Sequence, residues 1–341
     1  MVDLNSKSII ETDSEFICRT IDFIPLENKT VLITGASGLL GVYFLTCLKL
    51  ISETIQGIKI IAVFRSELPE YLSEKEFNNL SVFKGDISDS LFCETLPKAD
   101  FIIHAAGYGQ PLKFMSAPVK TIKLNTFTTF LLFDKLKTNG NFLFISSSEV
   151  YNGLSGKIYK ESQIGTTNTT DSRACYIEGK RGGEAICNSY RQQGVNASSV
   201  RLGHTYGPGT KKGDKRVILS FIEKALKGKI TLMDKGEAVR TYCYISDAVE
   251  IMWKILLSCK EPIYNLGGIS KMNIAGVAQT IANIINVPVI IPQDVNSVVG
   301  APEDVQLDMK LVTNEFGKNT FVSFEEGIKK TVDWYKSLEE K

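Results

Sequence analysis

Tyr176 and Lys180, four residues apart in Tyr176-Ile177-Glu178-Gly179-Lys180, are the pair in this chain best suited to moving a proton. On a helix that spacing puts both side chains on one face. A lysine ammonium near a phenol favours the phenolate and can lower its pKa, which would make Tyr176 a usable base near neutral pH. Alone the pair means little, because a Tyr-x-x-x-Lys spacing often marks no more than a solvated helix face. It gains weight from Ser147, which follows the apolar run Phe142-Leu143-Phe144-Ile145 and could hold the hydroxyl that Tyr176 deprotonates. Glu149, two residues on, is a second candidate acid or base, with Ser148 beside it.

Such a group needs a scaffold, and the chain supplies one from Thr30 to Gly41. Val31-Leu32-Ile33 reads as a strand buried on both faces, and Gly35, Gly38 and Gly41 follow at a spacing of three. The first glycine permits a tight turn, the second a close approach of backbone to a pyrophosphate, and the third close packing of helix on strand. A helix over residues 39–51 would aim its N-terminal amides, with Ser37, Leu39 and Leu40 around them, at phosphates. By itself the triplet could equally be an ordinary strand-turn-helix corner. Further apolar runs follow at Lys59-Ile60-Ile61-Ala62-Val63-Phe64, Leu80-Ser81-Val82-Phe83 and Phe101-Ile102-Ile103, with helical segments between them. That alternation predicts an α/β fold, a Rossmann-like doubly wound parallel sheet whose ligands bind at the carboxyl ends of the strands.

Those strand ends carry polar signals. The second strand ends in Phe64-Arg65-Ser66, with no acid until Glu67; an acid there would hold the ribose hydroxyls of NAD, whereas Arg65 suits NADP or could stack on an adenine. Asp86 after the third strand, with Ile87 beside it, is placed either to accept from an adenine amino group or to cap a helix. After the fourth strand, His104-Ala105-Ala106-Gly107 forms a small-residue loop along which a cofactor could lie, and Asn125 falls on the helix that follows.

Composition excludes several classes. The 341 residues have a formal net charge of +1, which gives no electrostatic case for nucleic acid or an anionic membrane. Seven scattered cysteines with no Cys-x-x-Cys pair, and only two histidines, argue against a structural zinc site and for a reduced, cytoplasmic protein. No apolar run reaches membrane-span length, and no signal-peptide pattern appears at the N-terminus.

Taken in order, the motifs resemble those of extended short-chain dehydrogenases/reductases, in the branch of nucleotide-sugar epimerases, dehydratases and decarboxylases. The resemblance spans about residues 29 to 337 and rests on the glycine triplet, Gly85-Asp86, His104-Ala105-Ala106-Gly107, Ser147-Ser148-Glu149-Val150-Tyr151 and Tyr176-x-x-x-Lys180. Arg201-Leu202-Gly203-His204-Thr205-Tyr206-Gly207-Pro208-Gly209, Arg240-Thr241-Tyr242-Cys243-Tyr244-Ile245-Ser246-Asp247-Ala248 and Asn265-Leu266-Gly267 extend it. It implies a catalytic Ser147, Tyr176 and Lys180, a tightly retained NAD (with NADP kept open by Arg65), a nucleoside-diphosphate sugar as substrate, and a homodimer built on a four-helix interface. Within the branch, Arg173-Ala174-Cys175-Tyr176-Ile177-Glu178-Gly179-Lys180-Arg181 is most similar to UDP-glucuronate decarboxylases, and Glu149 favours decarboxylation or C5 chemistry. A 4-epimerase or 4,6-dehydratase is the nearest alternative; a non-catalytic NAD(P)-binding sensor is the alternative of another class.

The chain departs from that pattern at Gly300-Ala301-Pro302-Glu303-Asp304, where relatives carry an arginine for substrate phosphates or carboxylate, and at His204, where they carry asparagine. Lys211, Lys212, Arg216 and Arg240 are the cations that could compensate, with His204, Arg216 and Arg240 as substrate-binding candidates. Lys211 to Lys215 could cover the substrate phosphates or simply be solvated. The expected plan is an N-terminal helical extension over residues 1–28, packing on the body or on a partner, and a Rossmann domain over 29–200. Further strands of that domain are expected near 200–206 and 240–265, with a smaller C-terminal α/β substrate lobe from 207–239 and 266–337. Asp247 is expected to cap the helix that follows it.

Overall fold

A computed structural model describes residues 6–69, 72, 75, 77–292 and 304–338. Its centre is a seven-stranded sheet built from β1 (Thr30–Thr34), β2 (Lys59–Phe64), β3 (Leu80–Lys84), β4 (Ala99–His104) and β5 (Leu136–Ser147), with two strands from later in the chain. Every residue of β1 is buried, as are five of the six in β2, so these strands read as continuous apolar runs rather than alternating ones. All pairings in this sheet are parallel, in the order β11-β7-β5-β4-β1-β2-β3, where β7 is Asn196–Leu202 and β11 is Ile263–Leu266. The chain runs outward one way from β1 to β3, then restarts beside β1 with β4. The crevice between the carboxyl ends of β1 and β4 is therefore the point where a doubly wound sheet offers a binding site.

Between β5 and β11 lie β6 (Ile158–Tyr159), β8 (His204–Tyr206), β9 (Ile230–Thr231) and β10 (Val239–Tyr244), followed later by β12 (Ser270–Asn273), β13 (Val289–Ile290) and β14 (Asp304–Leu307). A second sheet runs β12-β10-β14-β6, with β8 on β10, while β9 pairs with β13. This corrects the expected membership of the large sheet. Residues 204–206 and 239–244 leave it for the second sheet, while 196–202 and 263–266 stay. The chain separates at Gly203 and Gly267, whose backbones approach so closely that a Cβ on Gly203 would lie 3.0 Å from the Gly267 Cα. The strand expected around Lys229 to Met233 shortens to the two residues of β9.

The N-terminal helix Ser6–Arg19 packs on the body, against the helices Leu39–Ile51, Ile245–Ser258 and Phe324–Ser337. Its buried Asp13 accepts hydrogen bonds from the hydroxyls of Tyr43 (3.0 Å) and Tyr244 (2.6 Å) and pairs with Lys330. Asp247 is not a helix cap. Tyr244 occupies the cap position, and Asp247 turns inward to pair with Lys318 (2.7 Å) and accept the Val322 N–H. Side-chain caps occur on other helices: Asn273 accepts the Gly276 N–H, and Ser323 accepts the Glu326 N–H. Among the described residues no helix is long and apolar enough to cross a membrane, and no group of three or more His, Cys, Asp or Glu could hold a metal ion.

One buried polar network fixes the floor of the cleft. Glu184 accepts from the Ser146 hydroxyl (2.5 Å) and from Arg201 (2.8 Å), and Arg201 donates to the Tyr151 hydroxyl (2.8 Å), which donates to Asn265 Oδ1 (2.7 Å). Removing one partner of a buried pair strands the other charge. Arg201→Leu is therefore expected to lower stability by about 3–5 kcal/mol in urea unfolding, and Glu184→Leu added to it to restore part of the loss.

Candidate active site

At the crevice, the loops after β1 and β4 are held together by one hydroxyl. His104 Nε2 faces the Leu124 carbonyl (3.0 Å), which can only accept, so Nε2 carries the hydrogen. Nδ1 of the neutral ring then accepts from the Thr34 hydroxyl (2.8 Å), whose oxygen accepts the Ala106 N–H (3.1 Å). Burial, reinforced by the Lys180 charge, lowers the His104 pKa to about 3, so the ring is neutral and structural. Gly35 has φ +69°, and a Cβ there would lie 2.8 Å from the Ala105 carbonyl carbon. A Cβ on Gly41 would lie 2.5 Å from the Ala36 Cα. No side chain fits at either position. Gly38 caps the helix Leu39–Ile51, so the first amides of Leu39 and Leu40 face the crevice end of that helix.

Gly107, Asn125 and Lys180 converge below this loop. A Cβ on Gly107 would stand 3.7 Å from Lys180 Nζ and 3.9 Å from Asn125 Oδ1. Asn125 donates to the Thr121 carbonyl (2.8 Å), but its buried Oδ1 has no hydrogen-bond partner among the described residues. An acceptor buried without a partner is costly, and a ligand donor arriving beside Gly107 would satisfy it. The glycine approach, the helix N-terminus and this orphaned oxygen together fit a nicotinamide dinucleotide.

Asp86 neither caps a helix nor stands free. Burial pushes its pKa up, but bonds from Lys120 and Ser88 overcome that and hold it at about 2; the neighbouring helix Ser90–Glu94 is capped by Asp89. Ile87 is buried beside it. Arg65 reaches across to the Tyr108 hydroxyl (3.1 Å).

Ser147, Tyr176 and Lys180 are brought together. Ser147 ends β5, and Tyr176 and Lys180 lie on the helix Ala174–Gln192; all three are buried. Ser147 Oγ accepts the Glu149 N–H (3.2 Å), and its side chain lies near enough to the Tyr176 phenol to favour the phenolate. The electrostatics differ from the expectation. Burial drives the Tyr176 pKa up to about 12 with help from the Glu149 charge, against Ser147 and the charges of Arg216 and Arg173. Lys180 does not lower it in this structure. Its ammonium donates to the Ile145 carbonyl (2.6 Å) and stands 5.6 Å from the phenol ring centre, and burial pushes its own pKa down to about 7. Desolvation dominates the shifts of both groups.

Two residues of the site were not singled out by sequence. Arg173 pairs with Glu149 (2.5 Å) and lies over the Phe114 ring (5.4 Å), while Phe114 stacks on Tyr176 (4.6 Å between centres). Arg173 precedes Tyr176 by three residues, one helical turn, and that spacing was the available signal. Phe114 had none. Ser148 is half-buried at the start of the short turn Ser148–Tyr151.

Across the cleft, His204 on β8 is exposed, and the charges of Arg240 and Arg216 act to lower its pKa. The charge of Arg216 acts on both His204 and Tyr176, and its guanidinium is held by Asp214 (2.8 Å). Arg240 donates to the Val239 carbonyl (2.7 Å). Lys211 does not join them: its Nζ bonds Ser37 and Ser66 at the glycine loop. Gly300 to Glu303, where the arginine of similar sequences is missing, lie outside the described residues.

Comparison with known proteins places this geometry. The model of the NAD dependent epimerase/dehydratase family matches residues 31–267, and the chain belongs to that family. It is 30% identical over 284 residues to UDP-glucuronic acid decarboxylase 6 of Arabidopsis thaliana, covering 81% of this chain and 79% of that protein. It is 29% identical over 316 residues to UDP-glucuronic acid decarboxylase 1 of Xenopus tropicalis, covering 91% and 73%. The fold also matches DesIV, a dTDP-glucose 4,6-dehydratase of Streptomyces venezuelae solved with NAD, at TM-score 0.77 and 21% identity over 91% of this chain and 98% of that one. Epimerase Mth375 of Methanothermobacter thermautotrophicus matches at TM-score 0.78 and 22% identity over 95% and 96%.

The buried Lys180 gives a pH-dependent prediction. Its folded pKa lies below the ordinary value, so the fold prefers the neutral amine and is penalised progressively as pH falls from about 10.5 to 7. Lys180→Met is expected to stabilise the protein at pH 7 by about 1–3 kcal/mol and by less at pH 10, measured by denaturant melts at both values.

Proposed function

We propose that this chain transiently oxidises C4 of a nucleotide sugar and decarboxylates a UDP-glucuronate-like substrate. The observation that carries the reading is the buried Ser147, Tyr176 and Lys180 group meeting the Glu149–Arg173 pair at the mouth of a dinucleotide cradle. Ser147 orients the sugar C4 hydroxyl, and Tyr176 takes its proton. The bound nicotinamide dinucleotide supplies the hydride acceptor and then the hydride donor. A 4-keto group makes a C5 carboxylate the carboxylate of a β-keto acid, which loses CO2 readily and leaves an enolate to be protonated at C5. Glu149, with Ser148 beside it, manages the proton or water at that carbon, and Arg173 pairs with Glu149 and aims it. His204, Arg216 and Arg240 hold the nucleotide sugar from the opposite wall. Relatives named UDP-glucuronic acid decarboxylases support this choice of substrate.

The phenol must ionise to act, and its raised pKa sets the pH dependence. Rate is expected to rise with pH towards the Tyr176 pKa, and Glu149→Gln, which removes a charge that raises that pKa, to move this rise to lower pH. Incubation with UDP-glucuronate is expected to release CO2 and a UDP-pentose, with Tyr176→Phe lowering the rate by at least a hundredfold. A product lighter by one water would identify a dehydratase instead, and a product of unchanged mass an epimerase. Binding of the dinucleotide without turnover on any nucleotide sugar would identify a sensor.

We also infer a cytoplasmic homodimer. The helices Pro118–Asn125 and Ala174–Gln192 pack side by side, and the former leaves Val119 (79% exposed) and Ile122 (43%) facing outward, with Phe127 and Phe130 on the next helix. A second copy of this pair would cover them as a four-helix interface. Val119→Glu with Ile122→Glu is expected to shift the sedimenting mass from dimer to monomer.

A further inference from the structure

The end of β2 carries cations that the proposed chemistry does not use. Its register against β1 pairs Thr34 with Val63, and the Ala36 N–H donates to the Val63 carbonyl (3.2 Å), so residues 64–66 run beside the first turn of the glycine loop. In dinucleotide sites this is where the adenosine ribose rests, and an acidic side chain there takes the two ribose hydroxyls of NAD. This chain has Phe64-Arg65-Ser66 instead, and the next residue, Glu67, pairs with Lys84. The Ser37 and Ser66 hydroxyls meet at 2.9 Å. Lys211, 174 residues beyond Ser37 in the chain, inserts its Nζ between them, 3.3 Å from Ser37 Oγ and also bonded to Ser66 Oγ. Arg65 closes the other side by bonding Tyr108. Lys211 forms no ion pair among the described residues, and the nearby Lys113 adds a further positive charge.

We infer that Arg65, Ser66, Ser37 and Lys211 form a subsite for the 2′-phosphate of an adenosine ribose, so that the cradle selects NADP(H) over NAD(H). Two ribose hydroxyls offer an ammonium and a guanidinium little that water does not. A phosphate dianion at the same position gains charge-assisted hydrogen bonds from both cations and accepts from both serine hydroxyls. Burial and Lys113 lower the Lys211 pKa, and an arriving anion reverses that penalty. The specificity element comes from the loop before the helix Val217–Leu226, far in sequence from the glycine motif.

This inference rests on the proposed dinucleotide cradle, and one titration separates the two. Full-length protein freed of bound nucleotide is titrated calorimetrically with NADP+, NAD+, adenosine 2′,5′-bisphosphate and 5′-AMP. The expected result is at least tenfold tighter binding of each 2′-phosphorylated ligand than of its counterpart. Lys211→Met and Arg65→Met are each expected to weaken NADP+ about tenfold and NAD+ less than twofold, with unchanged melting temperatures. Equal or tighter binding of NAD+ overturns the subsite and leaves the cradle standing. A Lys211→Met variant that weakens both dinucleotides equally also overturns it, since the lysine would then serve the shared pyrophosphate. Failure of every ligand to bind overturns the cradle itself and the subsite with it.

Discussion

The hydrogen bond from the Thr34 hydroxyl to His104, returned by the Ala106 N–H, closes the one seam the fold cannot close by sheet pairing alone. β1 and β4 pair in parallel along their length, but beyond Thr34 and His104 their chains turn to opposite duties. One becomes the glycine loop and its helix; the other becomes the small-residue loop leading to Asn125. A single Oγ1 spans the parting and fixes the width of the crevice. Gly35 then touches the Ala105 carbonyl, and Gly107 stays open towards Lys180 and Asn125. The positions of Tyr176 and Ser147 relative to any dinucleotide follow from that width, because β5 is the next strand outward from β4.

Around this seam the protein holds polar groups at an electrostatic cost. Tyr176 and Lys180 are both kept from water, and each is pushed towards its uncharged form. Glu184, one turn beyond Lys180, partly offsets this for the lysine but is itself committed to Arg201 and Ser146. Neutral groups at rest are a store of reactivity: a substrate or cofactor charge entering the cleft acts on them through a low dielectric.

Much of this was legible in the sequence. Buried parallel strands advertise themselves as short apolar runs, so Val31-Leu32-Ile33 and Ile60-Ile61-Ala62-Val63 were readable, as were the glycines at their spacing of three. Ser147, Tyr176 and Lys180 were readable because strand end and helical period are local properties. What was not legible depends on partners distant in the chain. Asp247 looked like a cap because nothing nearby shows that Lys318 waits for it. Lys211 read as part of a basic loop that either covers substrate phosphates or is simply solvated, and its contact with Ser37 bridges 174 residues. The direction of the Tyr176 shift was missed for a related reason: spacing shows which charges are neighbours but not how little water remains between them. Arg173 and Phe114 joined the site through a stacked arrangement that only packing creates.

The neutral His104 has a consequence for how the molecule responds to acidity. The chain has only two histidines, and both are pushed towards the neutral form, His104 by burial in the seam and His204 by the charges of Arg240 and Arg216. Imidazole is the group that ordinarily titrates between pH 5 and 8, and here that interval is cleared of it. The ionisation left in the cleft within that interval belongs to an amine, Lys180, on the floor beneath the small-residue loop.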